Sequence, residues 1–254
     1  MQAVRVNQWV ARGANLENAE LDQVVRETLR NNARDLYTFY HYMQDPNAMQ
    51  RMISVDPKAC QWVERPEFAE RGLVIAGLHL SNFDFALQFL CQHGFRPMIL
   101  TIPDPQGGRR VEYELRKKAG MNLVLASVNT LRQAVKHLEQ GGMVLTGMDH
   151  PMLNLKYRPT FFGRAASIPT HYVSLALKAH VPVVIMAASQ QTDGMYHILS
   201  SEPIEMERDS DRRREILWNA KRVLQQAEDF IRLAPQQWNV PWPIWPELLE
   251  KVMN

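Results

Sequence analysis

From residue 73 onward, short apolar runs alternate with stretches of helical periodicity, and that alternation leaves few folds open. The runs are LVIAG (73–77), MILTI (98–102), NLVLA (122–126), MVLTGM (143–148), VPVVIMAAS (181–189) and YHILSS (196–201). Each is strand-sized and bounded by turn or helix signals, as buried strands are. Helix-like stretches lie between them, near 84–93, 109–119, 129–140, 169–180 and 211–233. Strands alternating with helices predict an α/β fold, a single domain with a largely parallel mixed sheet flanked by helices. Upstream, Leu21, Val24, Val25, Leu29, Leu36, Phe39, Tyr40 and Met43 recur at three- and four-residue spacings. They predict an N-terminal helical segment that stops at Asp45-Pro46. The chain thus divides into a mainly helical lead-in (1–70), a sheet core carrying the active site (71–204) and C-terminal helices (205–254). Residues 149–168, with Pro151, Pro159 and Gly163, are expected to form the one long loop.

Composition narrows the partners. The 29 basic and 27 acidic residues give a net charge of only +2, too weak a balance for a nucleic-acid binder. Six Trp and 13 Met suit apolar ligands and interfaces, although any one of them serves equally well in a core. Cys60 and Cys91 make neither a disulfide framework nor a metal spacing, so a reduced setting is expected. No stretch reaches the ~18–20 apolar residues that span a bilayer, and MQAVRVNQWVARG has no secretory apolar core. If this chain meets a membrane, it is expected to lie on it.

Ligands of open parallel sheets gather beyond the carboxyl ends of the strands. There, directly after LVIAG, stand Leu78-His79-Leu80-Ser81-Asn82-Phe83-Asp84. A histidine leaving a buried strand is well placed to take a proton, and Asp84 five residues on opens an apolar helix. A turn between them is expected to fold the carboxylate onto the imidazole and fix its tautomer. The bland alternative is a helix-capping Asp84 beside a satisfied core histidine.

The H-x4-D of His79 and Asp84 resembles the signature of the glycerolipid and lysophospholipid acyltransferase superfamily. Three further features bring the chain close to one branch, the bacterial lipid A late acyltransferases and phosphatidylinositol mannoside acyltransferases. Gly141-Gly142-Met143-Val144-Leu145 followed by Asp149 resembles a strand whose acidic residue lies in the active site. Phe161-Phe162-Gly163-Arg164-Ala165, with Pro169 and Ser174-Leu175-Ala176, resembles the "FFG-R-x-A…P…LA" stretch. Ala234-Pro235-Gln236-Gln237-Trp238 is similar to a C-terminal "P-E-Q-W" element. The chain departs from the branch at Val128, where arginine is common, at Gln236, where glutamate is commoner, and at His171, which replaces a glycine. It also lacks the hydrophobic N-terminal anchor many members carry, so either an anchor has been lost or the form is peripheral.

The resemblance implies a glycerolipid acyltransferase-like fold and transfer of a fatty acyl chain from an acyl thioester, acyl-CoA or acyl-ACP, to a hydroxyl of a membrane (glyco)lipid. No cofactor or metal is implied, because a thioester is already activated. His79 acts as general base, oriented by Asp84. Ser81, Asn82, Asp149, Arg158, Phe162, Gly163 and Arg164 line the substrate site. Backbone N–H groups near Leu80–Asn82 are candidates for holding the oxyanion. The cytoplasmic face of the inner membrane is the implied location. Arg109, Arg110, Arg116, Lys117 and Lys118, with Trp242 and Trp245, are expected to touch membrane or carrier, while Trp238 is assigned to packing. A lipid-binding protein without activity and an ester or thioester hydrolase are the alternatives. Ser81 is a poor nucleophile for the latter, since no G-x-S-x-G elbow surrounds it.

Overall fold

The computed structural model describes residues 1–55, 71–102, 107–152 and 155–253. Cys60 and Pro103-Asp104-Pro105 lie outside the described residues. Two N-terminal helices, α1 (Gln2–Ala11) and α2 (Asn18–Tyr42), precede a short α3 (Pro46–Arg51) and strand β1 (Ile53–Val55). The apolar periodicity of 21–43 forms α2 as expected, started by a capping box of Glu17 and Glu20. Asp45 then caps α3 by accepting from the Ala48 N–H, with Pro46 in its first turn.

The α/β alternation follows. In order come β2 (Leu73–Gly77), α4 (Asp84–Gln92), β3 (Met98–Thr101), α5 (Gly108–Lys118), β4 (Leu123–Leu125), α6 (Val128–Glu139) and β5 (Met143–Gly147). The segment expected as loop contains a small hairpin, β6 (Thr160–Phe161) and β7 (Arg164–Ala165). Phe162-Gly163 forms its two-residue turn, and both residues have positive φ. The chain continues with α7 (His171–Ala179), β8 (Val183–Gln190), β9 (Tyr196–Ser200), α8 (Arg212–Leu233) and α9 (Leu249–Met253).

The main sheet has strand order β1-β9-β8-β2-β5-β3-β4. All its pairings are parallel except β8 with β9. Both faces are covered, which is why the central runs are apolar without alternation: Leu73, Val74, Ile75 and Ala76 are all fully buried. Val74, Ala76, Val144, Val183 and Ile185 face one core with α1, α7 and α8. Leu73, Ile75, Leu145, Val184 and Met186 face the other, with α4 and Phe39 of α2. No described helix is long and apolar enough to cross a membrane.

Candidate active site

The register of two central strands fixes the site. β2 and β5 run parallel with Gly77 opposite Gly147, a constant offset of 70 residues (147 − 77). Two residues beyond each strand, the same offset brings His79 opposite Asp149. His79 Nδ1 lies 2.6 Å from Asp149 Oδ1, and the His79 main-chain N–H donates to the same carboxylate at 3.2–3.3 Å. Trp238 Nε1 donates to the other oxygen, Oδ2, at 2.9 Å. Asp149 is fully buried, whereas the His79 side chain keeps 32% exposure. The acceptor carboxylate places the imidazole proton on Nδ1 and leaves Nε2 as the basic nitrogen. Burial opposes a charge on His79, but attraction and hydrogen bonding from Asp149 outweigh it and hold the imidazole pKa above its ordinary value. Burial likewise opposes the Asp149 charge, yet His79 and Trp238 hold that carboxyl below its ordinary range.

Asp84 is therefore not the carboxylate on the imidazole. It opens α4, and its side chain is clasped by the Arg116 guanidinium of α5, Nε to Oδ1 at 2.7 Å and Nη2 to Oδ2 at 2.9 Å. Five residues along the chain carry Asp84 into a helix that points it at α5, while strand pairing brings Asp149 to His79. Arg116 correspondingly leaves the set of surface cations. Its side chain is 17% exposed, it also faces Glu112 at 3.7 Å, and it stacks over Phe39 and Phe83. Phe83 in turn presents an edge to the His79 ring, with centroids 4.9 Å apart, so the two ion pairs share one wall.

The turn between His79 and Asp84 is held from outside. Ser81 adopts φ +47°, the Ser81 N–H donates to the Gln237 carbonyl at 2.8 Å, and Leu80 bridges to Trp238. The Leu80 N–H already donates to Leu78. Of the expected oxyanion donors, Leu80 and Ser81 are thus occupied, and the Phe85, Ala86 and Leu87 N–H groups at the start of α4 are likewise taken, donating to the carbonyls of Asn82 and Phe83. The Ser81 hydroxyl donates to Asp35 at 3.1 Å, away from His79, so no serine–histidine pair forms there. A Cβ on Gly147 would sit 3.1 Å from His79 Cε1, so a side chain there would push the imidazole by a few tenths of an ångström.

His150 extends the wall. Its ring lies 6.5 Å from His79 and 4.5 Å from Trp242, and Arg109 stacks over Trp242 at 4.2 Å. Burial, followed by the charge of His79, lowers its pKa. Trp242 is 37% exposed at this rim, but Trp245 is fully buried and stacked on Phe161, which removes it from any membrane belt. Its proline-flanked position resembles that of Trp242, and only packing tells them apart.

The remaining expected residues separate. Asn82 sits in the His79 turn and donates its amide to the Asp35 carbonyl at 3.1 Å. Arg158 pairs with Glu247 at 3.0 Å and Arg164 lies over Trp9 at 5.8 Å. The N–H of Phe162 donates to Glu228 at 2.6 Å. These contacts hold the Phe162-Gly163 hairpin against α1, α8 and the C-terminal segment; none of them reaches His79. Phe162 lies 6.0 Å from the ring of Trp238, the residue that donates to Asp149. His171 bonds Thr146 Oγ1 at 2.5 Å, and burial pushes it down to about 4, a neutral core group. Asp35 and Arg116 as an interior residue are the members that sequence reasoning missed, and Gln237, singled out only as part of the C-terminal element, was given no role at the turn. Their partners lie 32 to 161 residues away, with no spacing to betray them.

A comparison with curated proteins found no match. Residues 13–244 match the family model described as bacterial lipid A biosynthesis acyltransferase, a span that takes in His79, Asp84, Asp149, Arg116 and Trp238 together. The chain belongs to the bacterial lipid A biosynthesis acyltransferase family, and so to the acyltransferases of lipid biosynthesis.

Proposed function

We propose that this protein transfers a fatty acyl group from a thioester, acyl-CoA or acyl-ACP, to a hydroxyl of a membrane glycolipid. The observation that carries the reading is the 2.6 Å contact of His79 Nδ1 with a fully buried Asp149. In the reaction His79 Nε2 takes the hydroxyl proton as the acceptor oxygen attacks the thioester carbonyl. A C–O bond forms, and the carbonyl oxygen becomes a tetrahedral oxyanion, for which this reading assigns the main-chain N–H of Asn82 in the His79 turn as donor. Collapse breaks the C–S bond, and the imidazolium returns its proton to the departing thiolate. Asp149 stabilises the imidazolium without taking its proton. Asp84 serves at one remove, by fixing Arg116 against Phe83.

The acceptor and product are lipids, and each buried CH₂ is worth ~0.8 kcal/mol, so the site works at a bilayer surface. Tyr37, Tyr40, Val111 and Trp242 are exposed, and of the α5 cations Arg109 stacks over Trp242 while Arg110 is exposed. Tyr40 reaches Glu112 of α5, so α2 and α5 share this rim. The cytoplasmic face of the inner membrane is the location this reading assigns, with a peripheral attachment.

The test is acylation of purified lipid A precursors and phosphoglycolipids from acyl-CoA and acyl-ACP, with free fatty acid measured alongside. Esterified lipid from the wild type and its loss in His79→Ala support the reading. Fatty acid release without esterified lipid makes the protein a hydrolase, and lipid binding with neither product makes it a binding protein.

A further inference from the structure

We infer that Asp35, on the N-terminal helix α2, is a positioning residue for the reaction, holding the turn that carries His79 in its working shape. The inference rests on the transferase reading for its kinetic consequence, and on geometry alone for the turn itself.

Asp35 is 8% exposed and lies 46 residues from the turn it holds. Its Oδ1 accepts the Ser81 hydroxyl at 3.1 Å and the Tyr196 hydroxyl at 3.2 Å. Its main-chain carbonyl accepts the Asn82 side-chain amide at 3.1 Å. Ser81, at φ +47°, occupies a left-handed conformation that a side chain disfavours, so it persists only where its surroundings determine it. Gln237 holds its N–H and Asp35 its hydroxyl. Tyr196 carries the hold further, since its ring stacks flat on Phe85, one residue past Asp84, with centroids 3.9 Å apart. Asp35 therefore reaches both ends of the turn. One helical turn on, Phe39 packs under the Arg116 guanidinium at 5.0 Å, so the same face of α2 supports the second ion pair.

A buried carboxylate with two hydroxyl donors and, among the described residues, no bonded cation is an expensive choice for mere packing. Burial pushes its pKa up to about 6, against the lowering effects of Ser81, Tyr196 and Arg34. The titratable and charged groups that act on it are Tyr196 from β9 and Arg34 from its own helix; the turn presents only Ser81 and Asn82. As a carboxylate it accepts from both hydroxyls and keeps the Ser81 proton directed away from His79. Both hydroxyls bond Oδ1, so a proton on Oδ2 leaves them in place. Asparagine offers the same acceptor oxygen without titrating.

The test compares Asp35→Ala and Asp35→Asn in transfer kinetics and in nitrogen-15 NMR of the histidine rings without substrate. Asp35→Ala is expected to lower kcat about 10–100-fold with KM little changed, the loss typical of a misplaced catalytic group. Its His79 ring signals are expected to split or broaden, and Asp35→Asn is expected to restore both kcat and signals. Wild-type kcat and unchanged His79 signals in a folded Asp35→Ala protein overturn the inference, as does an Asp35→Asn protein that restores neither. If Asp35→Ala fails to fold, Ser81→Ala, which removes the hydroxyl that Asp35 accepts, decides by the same two readouts. If the wild type transfers no acyl group, the functional reading fails and the NMR comparison alone judges the turn.

Discussion

Asp84 and Asp149 sit at two ends of one site, and their substitution should fail in different ways. Asp149→Asn removes the charge that raises the His79 pKa, so the acid limb of kcat/KM should move to lower pH while the plateau falls. Asp84→Asn leaves the buried Arg116 cation without its carboxylate, and breaking such a pair costs roughly 3–5 kcal/mol. Calorimetry should therefore show a large fall in Tm for Asp84→Asn, and an unchanged Tm would mean the pair is dispensable to the fold. Asp35 gives a third signature through pH. Its folded pKa of about 6 lies above the ordinary carboxyl value, so the protonated form favours folding. That contribution is complete below the unfolded pKa and is lost as pH rises through about 6. Asp35→Asn should accordingly raise Tm at pH 8 relative to wild type, by up to about 3 kcal/mol in stability, and lose that advantage near pH 4. Equal Tm differences at both values would show that the carboxyl does not titrate with folding. His79 itself was legible in the sequence because it follows a continuous apolar strand. Its carboxylate partner was misread because nearness along the chain was taken for nearness in space.

At the level of elements, the strands and helices from residue 73 onward were readable because each carries its own period, and burial on both faces removed any ambiguity in the strands. Strand register was not readable, and register is what selects Asp149 over Asp84. The hairpin at Thr160–Ala165 was also hidden, since two-residue strands show no period. Helix α5 shows the same limit. Its run of cations read as one surface patch, yet Arg116 turns inward while Arg110, Lys117 and Lys118 remain exposed. Replacing Arg109, Arg110, Lys117 and Lys118 with Gln should weaken co-sedimentation with anionic vesicles, since each basic contact near the surface is worth ~1 kcal/mol. It should spare turnover on a detergent-dispersed acceptor, and wild-type binding should weaken with salt because the screening length is about 8–10 Å. Unaltered vesicle binding would return these residues to an ordinary solvated helix face.

Across the whole molecule, the two ends of the chain close around the sheet core. Asn7 of α1 donates its amide to the carbonyls of Val240 and Trp242, and Gln8 donates to those of Pro235 and Trp238. The segment they hold supplies Trp238 to Asp149, the Gln237 carbonyl to Ser81 and Trp242 to the rim. This return could not be foreseen from the alternating pattern of MQAVRVNQWVARG, which folds as a helix that buries its polar Asn7 and Gln8. The account's central claim concerns the pair at the middle of this enclosure. Its most direct test is the rate of glycolipid acylation by wild type and Asp149→Asn at saturating donor and acceptor. The account predicts a fall in kcat of about 10²–10⁴-fold with little change in either KM, the loss expected when a general base is misoriented and its imidazolium unsupported. Near-wild-type turnover by the Asp149→Asn protein would contradict it.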